Sequence, residues 1–226
     1  MSKAAIIGAG KTGRGFLARL LQEEKEEFCF IDKNAELVER LNKEKCFQIR
    51  FFGNVREAYT IDHYQAYTWE NAPLEDVDLI LVSVGGQNLK EVGKELSKLL
   101  KEDRHYYVIT CENASHPSVT LREAIGKENI SVSEGTVFCT TIEEEGLSIY
   151  SENYPYLQCD AKLLEGYVPG AKTIRPIANF SDFLTRKLFT YNAASCVIAY
   201  LGWIKGYTNY ADAANDEEIL RLLDQN

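Results

Sequence analysis

Two groups of residues in this chain have the types and spacing to do chemistry. The first is Gly8-Ala9-Gly10-Lys11-Thr12-Gly13, a GxGxxG string close to the first residue. In such a string the first glycine permits a tight turn, the second lets the main chain approach a diphosphate, and the third lets a helix sit close to its strand. A helix that begins there aims N–H groups and its positive dipole end at an anion, so Ala9, Lys11 and Thr12 belong to the same turn. Asp32 follows about 20 residues after Gly13, where a carboxylate accepts hydrogen bonds from adenosine ribose hydroxyls and repels a 2′-phosphate. The pair predicts a dinucleotide site that prefers NAD to NADP, with Lys33 pulling the other way. The second group is Asn113 together with Lys187, Asn192 and Ser195. Lys187, Tyr191, Ala194 and Ser195 recur at helical spacing and Asn192 lies five residues beyond Lys187, so Lys187, Asn192 and Ser195 are expected to face one cleft.

The elements around the first group support it. Ala4–Ile7 is a short apolar run that reads as a buried strand, and Phe16, Leu17, Leu20 and Leu21 give the following helix one apolar face. Strand, glycine turn and helix in that order are the context in which GxGxxG signifies a dinucleotide. A Walker-type phosphate loop is excluded, because the glycine it needs five positions before Gly10 is Ala5. Phe28–Ile31 reads as the next strand and ends at Asp32. Asp78–Val84 is nearly all apolar, as a parallel strand covered on both faces must be. Val84 and Gly85-Gly86, at its carboxyl end, are expected to pass under the cofactor. Tyr106–Cys111 reads as a further strand from which Glu112-Asn113 emerge.

Helices are expected at Glu36–Lys43, Gln87–Leu100 and Ser118–Ile125, and strands at Tyr64–Thr68, Ile130–Thr141 and Leu147–Tyr150. Cys46–Phe52 and Arg56–Ile61 read as a hairpin turning at Gly53-Asn54. Tyr154-Pro155-Tyr156, Pro169-Gly170 and Pro176 punctuate an irregular stretch that reads as a connection between domains. A helix is expected from about Ser181 past Ala199, with a shorter one over Tyr210–Leu223. The fold class is α/β: a Rossmann-type doubly wound, mostly parallel sheet in a domain over 1–178, followed by the start of a mostly helical C-terminal domain over 179–226.

Composition narrows the function. Over 226 residues, 45% are hydrophobic and 26% charged, the proportions of an ordinary globular protein. A net charge of −9 argues against nucleic acid or an anionic membrane as partner, and no run approaches the roughly 20 apolar residues of a membrane span. Six cysteines without a CxxC pair and three scattered histidines leave no metal-ligand cluster, and a reduced, cytoplasmic setting is the simplest account. Glu143-Glu144-Glu145 reads as a solvated loop, Lys172 and Arg175 as surface charge, and the aromatic residues from Tyr191 to Tyr210 as core or interface packing.

Gly8–Phe16 (GAGKTGRGF), Phe30–Asn34 (FIDKN), Val84-Gly85, Cys111-Glu112-Asn113, Arg186–Asn192 (RKLFTYN) and Ala199–Gly202 (AYLG) occur in one order along nearly the whole chain. In these stretches the sequence resembles the polyol-specific long-chain dehydrogenases. The resemblance implies NAD-dependent oxidation of a sugar-alcohol phosphate to the ketose phosphate, and the reverse. It implies Lys187 as the general base, with Asn192 and Asn113 holding the substrate oxygen. Two amide donors suit an oxygen that gains alkoxide character as hydride leaves, and a lysine must have its pKa lowered to act as base near neutrality. The sequence departs from the family at Ser195, where the pattern has histidine, and the family is longer, which implies a truncated substrate domain. Those departures leave open a non-catalytic NAD-binding relative, acting as sensor or interaction module. A Rossmann reductase of a hydroxy acid is a third reading.

Overall fold

The computed structural model describes residues 3–224, and the chain divides into two compact units, Met1–Ala178 and Asn179–Asn226. The first unit begins with β1 (Lys3–Ile7), buried over its last four residues. Beyond the glycine turn a π-helical turn, Gly13–Leu17, runs into α1 (Ala18–Glu23). β2 (Glu27–Ile31) leads to α2 (Ala35–Glu44), whose start is fixed by the Asn34 side chain accepting from Leu37 N–H at 3.1 Å. There follow β3 (Phe47–Phe51), β4 (Tyr59–Ile61), β5 (Tyr64–Tyr67) and β6 (Leu79–Val82). α3 (Leu89–Leu99), β7 (Tyr106–Thr110), α4 (Pro117–Ile125) and β8 (Ile130–Thr136) come next. Four short strands close the unit: β9 (Thr141–Glu143), β10 (Ile149–Ser151), β11 (Leu157–Asp160) and β12 (Ile174–Ile177).

Eight of these strands form one sheet in the order β12-β11-β8-β7-β6-β1-β2-β5. Every pairing is parallel except β11 with β8. The expected doubly wound, mostly parallel sheet is therefore present. Its two faces each carry an apolar layer, with Ala4 and Ile6 of β1 in one and Ala5 and Ile7 in the other, as the two-residue period of a strand requires. Growth of the sheet reverses at β1, with β2 on one side and β6 on the other. The register sets Ile7 beside both Ile31 and Val82, so three strands end level at that switch point.

The expected hairpin is present, and the expected connection after Tyr154 is not. β3 and β4 pair antiparallel as expected, but a 3₁₀ turn over Phe52–Asn54 lengthens their connection. They also belong to a second sheet, ordered β4-β3-β10-β9. The cause is visible in β3, where Phe47, Ile49 and Phe51 are buried while Gln48 and Arg50 are exposed. A strand with one polar face cannot lie inside a sheet covered on both sides. The stretch from Tyr154 to Pro176 is no connection between domains, since β11 and β12 extend the main sheet. Pro176 is tolerated because β12 is the edge strand.

In the second unit, α5 (Phe180–Lys187), a π-helical turn over Leu188–Asn192 and α6 (Ala193–Ile204) form one helical run. The helix expected over Tyr210–Leu223 is two, α7 (Tyr210–Ala214) and α8 (Glu217–Asp224). The break falls at Asp216, whose Oδ1 accepts from the N–H groups of Glu218 and Ile219 at 3.0 Å each. Gly202 lets α6 approach α7, for a Cβ there would lie 2.4 Å from Ala213 Cβ. Tyr191, Tyr200 and Trp203 are exposed rather than packed into a core.

The second sheet leans on the π-helical turn of the first unit. A Cβ on Gly15 would lie 2.4 Å from Ile149 Cγ2 and 3.1 Å from Thr141 Cγ2. Gly15→Ala is expected to lower stability by about 1–3 kcal/mol through this overpacking, measured as the urea midpoint at constant m-value. An unchanged midpoint would show that the second sheet yields freely.

Candidate functional site

The site is assembled where β1, β2, β6 and β7 end. Gly8 N–H donates to Ile31 O at 2.8 Å, Ser83 N–H to Ile7 O at 2.8 Å, and Cys111 N–H to Val82 O at 2.7 Å. These bonds carry the sheet ladder one step past the strand ends and hold the turns side by side. Gly8 has φ +97°, and a Cβ there would lie 2.1 Å from Ser83 O. A Cβ on Gly13 would lie 2.1 Å from Gly8 O. At Gly10, by contrast, an added Cβ meets nothing within 4 Å, so Gly10 faces open space. The helical ladder opens with Arg14 N–H donating to Gly10 O at 2.9 Å, which leaves the N–H groups of Lys11, Thr12 and Gly13 ahead of it. Asp32 closes the other side: its Oδ2 accepts from Ala9 N–H at 2.7 Å and its Oδ1 from Asn34 N–H at 2.9 Å.

A cleft of about 570 Å³ opens over these turns, within the range of small-molecule sites. Of the residues singled out from sequence, Gly8, Gly10, Lys11, Thr12, Asp32, Val84, Gly85 and Asn113 line it. Ala9 and Gly13 lie buried in the turn itself. These features fit a dinucleotide: open space at Gly10 for the diphosphate, main-chain donors ahead of the helix, and an acid beside the turn. Among the described residues, no group of three or more His, Cys, Asp or Glu is placed to hold a metal ion, and no helix is long and apolar enough to cross a membrane.

Sequence reading missed several lining residues. Trp69, a lone large ring in the polar stretch after β5, reaches the cleft, as do Asn88 and Glu91 of the segment after Gly86. Lys33 and Glu91 pair at 3.5 Å, both well exposed, an arrangement worth little on its own. Glu112 also lines the cleft, and burial raises its carboxyl above the usual range while hydrogen bonds from Val84 and Gly85 N–H oppose the shift. Its signal in the sequence was adjacency to Asn113. The Glu143-Glu144-Glu145 run is not simply solvated, because Glu143 pairs at 2.9 Å with Arg14, which is 3% exposed, and Glu144 with Arg50 at 3.4 Å. Burial lowers the Arg14 guanidinium, and Glu143 and Asp32 counteract it.

Lys187, Asn192 and Ser195 lie in the second unit. Lys187 ends α5 and is half-buried, and that burial lowers its ammonium below the ordinary lysine value. Asn192 and Ser195 are exposed. Five residues of regular α-helix would carry Asn192 well round the axis from Lys187. The intervening turn is π-helical, with Ala193 N–H bonding Leu188 O five residues back, and this wider turn brings the two towards one face.

A family model described as the mannitol dehydrogenase Rossmann domain matches residues 2–142. Mannitol-1-phosphate 5-dehydrogenase of Clostridium acetobutylicum is 29% identical over 98% of this chain and 64% of its own length. The enzyme of the same name from Thermoanaerobacter pseudethanolicus is 27% identical over 99% of this chain and 64% of its own. The chain thus spans a little under two thirds of these relatives. A solved D-mandelate dehydrogenase, in ternary complex with NADH and anilino(oxo)acetate, shares the fold at 20% identity with a TM-score of 0.65, covering 98% of this chain and 70% of that one.

The glycines separate two effects. Gly13→Ala is expected to cost about 2–3 kcal/mol of stability. Gly10→Ala should change stability by no more than about 0.5 kcal/mol, because its Cβ enters open space. Urea denaturation of both variants checks the contrast, and equal losses would contradict the geometry.

Proposed function

The chain belongs to the mannitol dehydrogenase family, and from that premise we propose that it interconverts a polyol phosphate and a ketose phosphate with NAD. The observation that carries the reading is the glycine cradle with Asp32 bonded to its Ala9 N–H at 2.7 Å. The names of the mannitol-1-phosphate 5-dehydrogenase relatives support a polyol phosphate of the mannitol 1-phosphate type as the substrate class. A nicotinamide cofactor held there would supply a hydride acceptor for the carbinol carbon. Gly10, Lys11, Thr12 and Gly13 would receive the diphosphate on main-chain donors, with Gly8 shaping the turn through its own bond to Ile31 O. Asp32 would take the adenosine ribose, and Val84 and Gly85 form part of the cleft wall. The family pattern assigns Asn113 and Asn192, each in its own unit, as donors to the substrate oxygen, whose growing negative charge is strongest in the transition state. Lys187 takes the hydroxyl proton on its neutral amine, a role that its lowered pKa supports. Ser195 offers a neutral hydroxyl where the family pattern has histidine.

Ser195 also favours a second reading, an NAD-binding relative without turnover, since a hydroxyl can neither carry the charge of a histidine nor reach as far. NADH production from mannitol 1-phosphate separates the two. Binding of NADH without any production supports the second, and the absence of binding overturns both.

Lys187→Ala is expected to lower turnover by about 10²–10⁴-fold while leaving NAD affinity nearly unchanged, and equal turnover would refute the assignment. Polyol oxidation needs neutral Lys187, so its rate should rise with pH to a plateau, with an apparent pKa below that of free lysine. Ketose reduction needs the protonated form and should fall over the same range. Profiles of kcat/KM in both directions check the sign. NAD should be preferred to NADP by at least about tenfold, or about 1.4 kcal/mol, and Asp32→Ala should narrow that ratio.

A further inference from the structure

Glu112 has no part in the chemistry above, yet its carboxylate is tied to the neighbouring turn. Its Oε1 accepts from Val84 N–H at 2.5 Å and from Gly85 N–H at 2.8 Å. Asn88 Nδ2 donates to the Val84 carbonyl at 2.6 Å. Side chains therefore hold the donors of two successive residues and the acceptor between them. Gly85 sits at φ +84°, a conformation with few alternatives for most residues, and a Cβ on Gly86 would lie 2.9 Å from Ala114 Cβ. The turn after β6 and the turn after β7 thus meet twice, once through Glu112 and once at Gly86. Asn113 lies between those two points of contact. A carboxylate kept half-buried against the cost of desolvation needs the two N–H bonds as compensation.

We propose that Glu112 is a positioning residue that locks the Val84-Gly85-Gly86 turn to the Glu112-Asn113-Ala114 turn, fixing Asn113 against the wall of the cleft. The inference rests on the dinucleotide reading for its functional consequence, though the lock itself does not. Both N–H groups end on one oxygen, so acceptor geometry matters rather than charge. A glutamine carbonyl reaches the same place, whereas an aspartate falls one methylene short and an alanine offers nothing. Glu112→Gln is therefore predicted to behave as wild type and Glu112→Ala as an unlocked variant.

Two measurements test this on the full chain, after circular dichroism has shown each variant folded. In hydrogen exchange without added nucleotide, Val84 and Gly85 amides should exchange about tenfold or more faster in Glu112→Ala and within about threefold of wild type in Glu112→Gln. In fluorescence titration, NADH should bind at least about tenfold more weakly to Glu112→Ala, with Glu112→Gln restoring affinity. If the alanine variant does not fold, Glu112→Asp replaces it, with the same loss expected because reach fails while charge is kept. Unchanged exchange in the shortened variant overturns the lock. Faster exchange with unchanged NADH affinity overturns the positioning role. A wild-type chain that binds no NADH overturns the dinucleotide reading and the positioning role with it, and the exchange data then decide the lock alone.

Discussion

The structure depends on one close approach of main chains at the ends of β1 and β6. Gly8 lies so near Ser83 that the distance from a hypothetical Cβ to Ser83 O is 2.1 Å, and even a methyl group would force the strands apart. The same residue donates to Ile31 O, so it is pinned from β2 as well. Because three strand ends are held at this spacing, Asp32 comes within hydrogen-bond reach of Ala9 and the turn after β6 forms the opposite wall of the cleft. The position of the acid is thus a consequence of backbone geometry. A flexible side chain alone would not place it so reproducibly, and its second bond to Asn34 ties it also to the start of α2.

The second sheet is the other determinant of the cradle. Its strand β10 presses Ile149 against Gly15, and Glu143 of β9 receives the Arg14 guanidinium. The helix yields at this point with Ala18 N–H bonding Gly13 O, five residues back. A π-helical turn widens a helix by one residue per turn and costs hydrogen-bond geometry, so it persists where packing or a site demands it. The second such turn, at Leu188–Asn192, lies between Lys187 and Asn192. In both places the wider turn re-aims a side chain: Arg14 inward in the first, Asn192 relative to Lys187 in the second.

Much of this was legible in the sequence for a simple reason. Buried parallel strands such as Leu79–Val82 are continuous apolar runs, and the glycines of the turn have no substitute where Cβ atoms collide. What escaped reading had non-local causes. The second sheet unites β3 with β10, about a hundred residues later, and no local period announces such a pairing. The edge strands β11 and β12 carry Pro176 and lie between proline- and glycine-rich loops, which imitate a linker in composition. Glu112 and Trp69 entered the site through the shape of the cleft, and only a three-dimensional arrangement gives them partners. Asn113 was accessible to reading because it followed a clear strand whose end borders the cleft.

The electrostatics of the cleft explain how a chain of net charge −9 can present a site for an anion. Asp32, Glu91 and Glu112 line the cleft with Lys11 and Lys33, and Lys33 is partly spent on Glu91 at its exposed rim. Arg14 is buried and committed to Glu143. The attraction must then come chiefly from main-chain dipoles at the helix start, which act over a few ångströms and do not titrate. Exposed lysines are screened by salt over about 8–10 Å, whereas N–H groups in direct contact with a phosphate oxygen are not. A binding site built this way discriminates by fit more than by charge.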